Sequence, residues 1–282
     1  MRRYAALVGV TLAVLTWAAP ARAQETDLKK VSYNMANNLG MLRTLREVDS
    51  LMTVEFWGSG TMRDVGAKTI GPVVQLKSVY GQLAYDFPGM RVEYVRSTGE
   101  REIQVVSGMF AWNEIDKIGG GLDPAWGRAT PALEALSERL LRLWTTPFGV
   151  VKAARAAGEK AKVTVESGAT VVTFPLAGGK PDDTVYMVVG DLEGTPVKLT
   201  LDASYRPSRV EVRYRDRTYV TTYADYGDLN DADYKADIFF PARIMRTVDG
   251  QSVLDLTIQR TNTYNPYVIM PVPDSVQKVA AR

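Results

Sequence analysis

Any covalent chemistry performed by this chain falls to carboxylates. Its 282 residues include 32 Asp and Glu but no His and no Cys. The missing imidazole removes Ser-His-Asp and Cys-His nucleophile systems, HExxH zinc sites and proton shuttling near neutral pH. The missing thiol removes disulfides, thiolate nucleophiles, Cys-ligated zinc and iron–sulfur clusters. What is left is a pair of carboxylates acting as general acid and base, as in glycoside hydrolysis. Glu114 with Asp116, and Asp123 nearby, have suitable spacing. Among 32 acidic residues such pairs also arise by chance, so a carboxylate-based hydrolase is an alternative reading and not the leading one.

Two further stretches carry ligand-type residues. The acidic loop from Asp228 to Asp237 sets Asp and Asn oxygens at alternate positions, the donors a calcium ion takes. It lacks the glycine at position six and the glutamate at position twelve of an EF-hand loop, so a solvated connection fits it better. Lys117-Ile-Gly-Gly-Gly-Leu122 has the glycines of a phosphate cradle without a following Gly-Lys-Ser/Thr. It reads as a flexible loop between sheet and helix, with Gly119 to Gly121 as a hinge. No metal and no cofactor is expected.

The first 23 residues read as an export signal. Arg2 and Arg3 form a basic start, Ala5 to Ala19 an apolar run, and Ala21-Arg22-Ala23 a small-x-small cleavage site before Gln24. The apolar run is shorter than the roughly 20 residues that span a bilayer. Cleavage after Ala23 and a periplasmic location are therefore expected, with residues 24–282 as a single domain. Cleavage removes Arg2, Arg3 and Arg22 from 34 basic residues set against 32 acidic ones, which leaves the mature chain about one unit negative. No basic stripe remains to neutralise phosphates, so nucleic acid is excluded as a partner.

The elements that would position a site follow from periodicity. Leu28, Val31, Met35, Leu39 and Leu42 fall at spacings of three and four, which predicts an amphipathic helix over 28–46. Period-two alternation then predicts strands. Met52, Val54 and Phe56 share one face, as do Val92 and Tyr94, and Ile103 with Val105. Helical spacing returns over 130–157, with Pro131 opening one helix and Pro147 a second. Strands resume at Val163 to Val165, Val171 to Phe174, Tyr186 to Val189 and Val197 to Leu201, and again with Val210, Val212 and Tyr214. Phe239 to Val248 and Gln251 to Arg260 form a hairpin across Asp249-Gly250, a pair suited to a type I′ turn. Its return strand alternates Leu254, Leu256 and Ile258 with polar residues.

About ten strands and three helices predict an α+β fold: a strongly curved antiparallel sheet, or open half-barrel, covered by helices. A curved sheet too wide to be filled by side chains leaves an apolar cavity. Its expected lining is Met52, Val54, Phe56, Val92, Tyr94, Val210, Val212, Tyr214, Leu254, Leu256 and Ile258.

Tyr223-Ala-Asp-Tyr226, Phe240-Pro-Ala-Arg-Ile244 and Leu254-Asp-Leu-Thr-Ile258 resemble the Y-x-D-Y, F-P-x-R-I and L-x-L-T-V segments of the LolA/LolB-like periplasmic lipoprotein carriers. Leu143-Trp-Thr-Thr-Pro-Phe-Gly-Val-Val-Lys-Ala153 resembles the LW-x-TP-x-G-x-x-KAA segment of LolA-like domains found beside metallo-hydrolases. The resemblance implies the same half-barrel and a lipid or hydrophobic small molecule held between sheet and helices, as in transport and outer-membrane biogenesis. Lipoprotein transport itself is not implied, because the chain departs from dedicated carriers in length and in its acidic loop.

The leading expectation is thus a non-catalytic periplasmic binding or carrier protein, with envelope membrane proteins as further partners. Two alternatives stand beside it: an envelope interaction or scaffold protein with a filled core, and the carboxylate hydrolase. An apolar cavity, a solid core and an acidic cleft are the features that separate the three.

Overall fold

The computed structural model describes residues 25–43, 48–66, 69–123, 125–179 and 186–280. The export segment lies outside the described residues. Helix α1 (Leu28–Asn38) leads into a small hairpin of β1 (Leu42–Arg43) and β2 (Val48–Asp49). An antiparallel meander follows: β3 (Thr53–Met62), β4 (Val74–Ala84), β5 (Gly89–Arg96), β6 (Arg101–Ser107), β7 (Phe110–Asp116) and β8 (Gly127–Pro131). Helices α2 (Leu136–Trp144) and α3 (Pro147–Ala157) come next. A second meander runs through β9 (Lys162–Glu166), β10 (Ala169–Pro175), β11 (Pro196–Leu201), β12 (Pro207–Tyr214), β13 (Arg217–Gly227), β14 (Phe240–Val248) and β15 (Gln251–Asn262), before α4 (Asp274–Ala280).

Strand β15 pairs with β3, which joins the two meanders into one 13-stranded antiparallel sheet in the order β8-β7-β6-β5-β4-β3-β15-β14-β13-β12-β11-β10-β9. Its two ends, β8 and β9, do not pair with each other, so the sheet is not closed. The molecule is α+β and mostly sheet. Curvature is evident from what meets across it: Tyr94 on β5 and Tyr223 on β13 line one pocket although five strand positions separate them. On a flat sheet that separation would be roughly 24 Å. Register shifts at Gly58/Gly60, Leu76/Ser78 and Arg246/Thr247 supply bulges that bend the strands.

The sheet has two covered faces. The inner face packs against α1, α2 and α3 around a large core that includes Val54, Phe56, Leu83, Trp144, Phe148, Val210, Phe240 and Leu256. The outer face carries a smaller core of Ala84, Ile103, Val105, Trp112, Val268, Met270 and Val276, closed by α4. Ile103 and Val105 therefore share a face as expected, but it is the outer one.

Four expected boundaries move, each for a local reason. The first helix stops at Asn38, not 46, because Gly40 adopts φ +75° with its α-carbon against the Asp237 carbonyl, where an added Cβ would sit 1.9 Å from the oxygen. Pro131 ends β8 opposite Trp112 and does not open a helix; an edge strand tolerates its missing N–H. Residues 186–189 form no strand: Met187 makes a single bridge to Gly179, and the chain turns into a 3-10 turn at Gly190–Leu192. Gly119 to Gly121 connect β7 to β8, not sheet to helix, and the Gly119 N–H is held at 2.6 Å by the Glu114 carboxylate. The hairpin forms as expected, with Asp249 and Gly250 at φ 51° and 79°.

Candidate functional site

The inner face changes character along the strands. Toward one end, Met35, Leu39, Met41 and Leu51 close it with buried apolar side chains. At the other end the inward positions of β5 and β6 become Tyr94, Glu102 and Gln104, and β14 contributes Arg246 between Ile244 and Val248. An apolar pocket of about 70 Å³ lies between these ends, and a polar compartment of about 210 Å³ opens beside it. Tyr94, Arg142, Arg246 and Leu254 line both.

The apolar walls come from the sheet. Phe56 lies across Gly81 of the neighbouring strand, where a Cβ would meet the ring at 2.1 Å, so glycine lets the ring lie flat on the sheet. Phe56 stacks on Phe240 at 5.9 Å, and Phe240 meets Phe148 of α3 at 5.7 Å. Leu83, Met90, Val92, Ile244 and Leu256 complete the walls.

The roof is the junction of α2 and α3. Thr146 caps α3 by accepting the Gly149 N–H at 3.2 Å, and Pro147 takes the first helical position. Gly149 is required by the tight corner: a Cβ there would come within 2.2 Å of the Leu143 carbonyl oxygen. Two tyrosines, Tyr223 on β13 and Tyr85 just past the end of β4, latch this junction. The Tyr223 hydroxyl donates to the Thr145 carbonyl, and the Tyr85 hydroxyl lies 2.8 Å from the Thr146 Oγ1. Burial raises the pKa of both phenols, so they stay neutral. Lys152 on α3 is tied to Asp49 at 2.6 Å, with both side chains buried.

Two arginines fix α2 to the sheet. Arg139 donates to the carbonyls of Val105 and Trp112 at 2.9 and 2.6 Å, and burial pushes its guanidinium down to about 10. Arg142 donates to Gln104 at 2.5 Å and to the Tyr94 hydroxyl. Arg246 differs from both. Its side chain is only 7% exposed, its closest ion-pair partner is Glu138 at 3.9 Å, and its Nε and Nη2 meet no acceptor. Burial lowers its pKa, against the pull of Glu138.

Five of the expected lining residues, Phe56, Val92, Tyr94, Leu254 and Leu256, are brought together at this pocket. The other six lie elsewhere. Met52 precedes β3 and is half-buried; Val54 and Ile258 are buried in the inner core away from the pocket lining. Val210 and Val212 are buried on β12, against which α3 packs, and the Tyr214 hydroxyl donates to Asp191 at the surface. Sequence reasoning passed over Tyr223, Phe240 and Ile244, although the quoted motifs contain them. It also passed over Arg246, whose signal is a charge in phase with Ile244 and Val248.

The carboxylates considered for acid–base work do not converge here. Glu114 is buried on the outer face, accepting from Arg91 Nη2 at 2.9 Å, Trp112 Nε1 at 3.3 Å and Gly119 N–H at 2.6 Å. Asp116 is exposed, and Asp123 is half-buried with its carboxylate accepting the Ala125 N–H at 2.8 Å. In the acidic loop, Asp228 accepts from Asn230 and from the backbone N–H groups of Ala236 and Asp237, at 2.9 and 3.0 Å. Those bonds close the loop on itself.

A scan against models of protein families finds no match, and a search of curated proteins finds none either. Among solved structures the chain is similar to the crystal structure of the Mycobacterium tuberculosis lipoprotein LppX, at 9% identity and a TM-score of 0.27, over 86% of this chain and 99% of that one.

Proposed function

We propose that this chain is an exported, periplasmic, non-catalytic binding or carrier protein for a lipid or other hydrophobic ligand, of LolA-like architecture. The observation that carries the reading is the apolar pocket between the inner sheet face and the α2–α3 junction, whose lining contains no carboxylate. Affinity would come from burial, at roughly 25 cal/mol per Å² of apolar surface removed from water. At about 70 Å³ the pocket holds only a few waters' worth of space, so a hydrocarbon chain enters only if the roof lifts. The latching hydroxyls of Tyr223 and Tyr85 are then the bonds that entry breaks.

The same small volume favours a second reading, an envelope scaffold with a filled core. Exposed Tyr267, Phe87 and Ile269, at 85%, 72% and 56%, would be its contact residues. Native mass spectrometry with organic extraction, on protein purified from the periplasm without detergent, separates the two. A lipid retained near one-to-one, lost in Leu256→Trp, is the expected result for the carrier. A clean apo mass with no binding of a fluorescent fatty acid would move the assignment to the scaffold. Amino-terminal sequencing of the same sample tests cleavage after Ala23.

A further inference from the structure

We propose that Arg142 and Arg246 form an anion site at the mouth of the apolar pocket, so that the ligand is an anionic amphiphile. Its carboxylate or phosphate seats on the two guanidinium groups while its hydrocarbon lies against Phe56, Val92 and Leu256. The inference rests on the lipid-binding reading above and narrows it to one ligand class.

The argument is one of unmet valence. Arg246 is the single charge on the inward positions of β14, buried with Nε and Nη2 unpaired. A buried cation whose counter-ion Glu138 stands 3.9 Å away, and whose other neighbour is the Tyr219 ring at 5.3 Å, is incompletely compensated, and the structure retains it beside a cavity. Arg142 projects from α2 into the same two compartments and binds only neutral partners, Gln104 and Tyr94. The other carboxylates at the mouth are already held: Arg96 takes Asp64 at 3.1 Å and Glu102 at 3.5 Å. Glu138, 3.9 Å from Arg246, is left to face both guanidinium groups. With Arg63, which also lines the polar compartment, four guanidinium groups face three carboxylates, so one positive charge goes unmatched where polar space meets apolar space. Guanidinium donors bind carboxylate and phosphate oxygens through paired, charge-assisted hydrogen bonds. The chemistry that fits is a monoanionic head with a hydrocarbon tail.

The test compares dodecanoate, dodecanol and inorganic phosphate by isothermal titration, with the purified protein and with Arg246→Gln and Arg142→Gln. Expected is dodecanoate bound at least tenfold more tightly than dodecanol, with that preference lost in Arg246→Gln while dodecanol affinity holds. Weak phosphate binding is expected, since the head alone forgoes the pocket. Equal affinity for dodecanoate and dodecanol, unchanged by either substitution, would overturn the anion site and leave the lipid reading standing. Phosphate binding as tight as dodecanoate would overturn the amphiphile and point to a free anion. Failure of both chain ligands to bind would remove the reading beneath the inference. Thermal unfolding guards against a misfolded variant: Arg246→Gln is expected to melt at or above the parent temperature, and Arg246→Met supplies a second neutral replacement of similar length.

Discussion

Arg91 and Arg246 are both buried on the same sheet, one on each face, and they live by different rules. On the outer face Arg91 belongs to a continuous polar ladder. Asn262 and Asn265 donate to Glu55 at 3.0 Å, Gln82 bridges Glu55 to Arg91, and Arg91 ends on Glu114. Both oxygens of each carboxylate in that ladder are occupied. On the inner face Arg246 has a cavity beside it and no hydrogen bond from Nε or Nη2. Arg91 too leaves its Nε without a partner, but its charge ends on a carboxylate at 2.9 Å, and a buried charge paired in this way is architecture. One left incomplete beside a cavity is where a ligand's polar group has a place.

That contrast is breakable. The largest effect is expected for Glu114→Ala, which strands Arg91 in the outer core and should cost about 3–5 kcal/mol in urea unfolding while leaving ligand affinity at the inner pocket untouched. A cost near zero would mean that the ladder is not structural. Tyr223→Phe comes next: it leaves the Thr145 carbonyl without its donor, costs about 1 kcal/mol, and should speed release of a bound fluorescent fatty acid in stopped-flow dilution. Unchanged release would separate the latch from ligand exchange. Arg246→Met has the opposite sign, with a denaturation midpoint at or above the parent, and a drop like that of Glu114→Ala would make the two arginines equivalent after all.

The smallest effect concerns acid. Burial tends to raise the Asp228 pKa, but its bonds from Asn230, Ala236 and Asp237 prevail and hold it low. A carboxylate held low in the fold stabilises above the unfolded value of about 4, and that contribution disappears as pH falls through the folded value. Asp228→Asn should therefore lower stability slightly at neutral pH and flatten the acid limb of a melting-temperature profile. Parallel profiles for the two proteins would refute this.

How far these features were legible in the sequence depends on how local their causes are. The β14–β15 hairpin could be read because Asp249-Gly250 selects its own turn, and the start of α3 because Thr146-Pro147 is a cap followed by a first-turn proline. Alternation identified strands but not faces. Ile103 and Val105 follow the same period as Val92 and Tyr94 yet look outward, because the β5–β6 register sets them opposite Glu93 and Arg91 while Val92 faces Gln104. The site was half legible for a related reason. Phe56, Val92 and Leu256 sit at the pocket while Val54 and Val210 do not, since the position of the roof along the strands is set by the α2–α3 corner. Arg246 was passed over because a charge in an apolar phase reads as a flaw in a strand, when it is where the inner face becomes polar.

The pairing of β15 with β3 has a kinetic consequence. Each remaining ladder in the 13-stranded sheet joins strands that are neighbours in sequence. Each meander can therefore form from short-range contacts, whereas the seam must gather Met62 and Leu254 from opposite ends of the chain. Phe56 and Leu256, on the two seam strands, both line the pocket. The ligand compartment is thus complete only once the seam has closed. A chain halted before the seam closes would have most of its sheet and no binding site, and the appearance of ligand affinity during refolding would report completion of the fold.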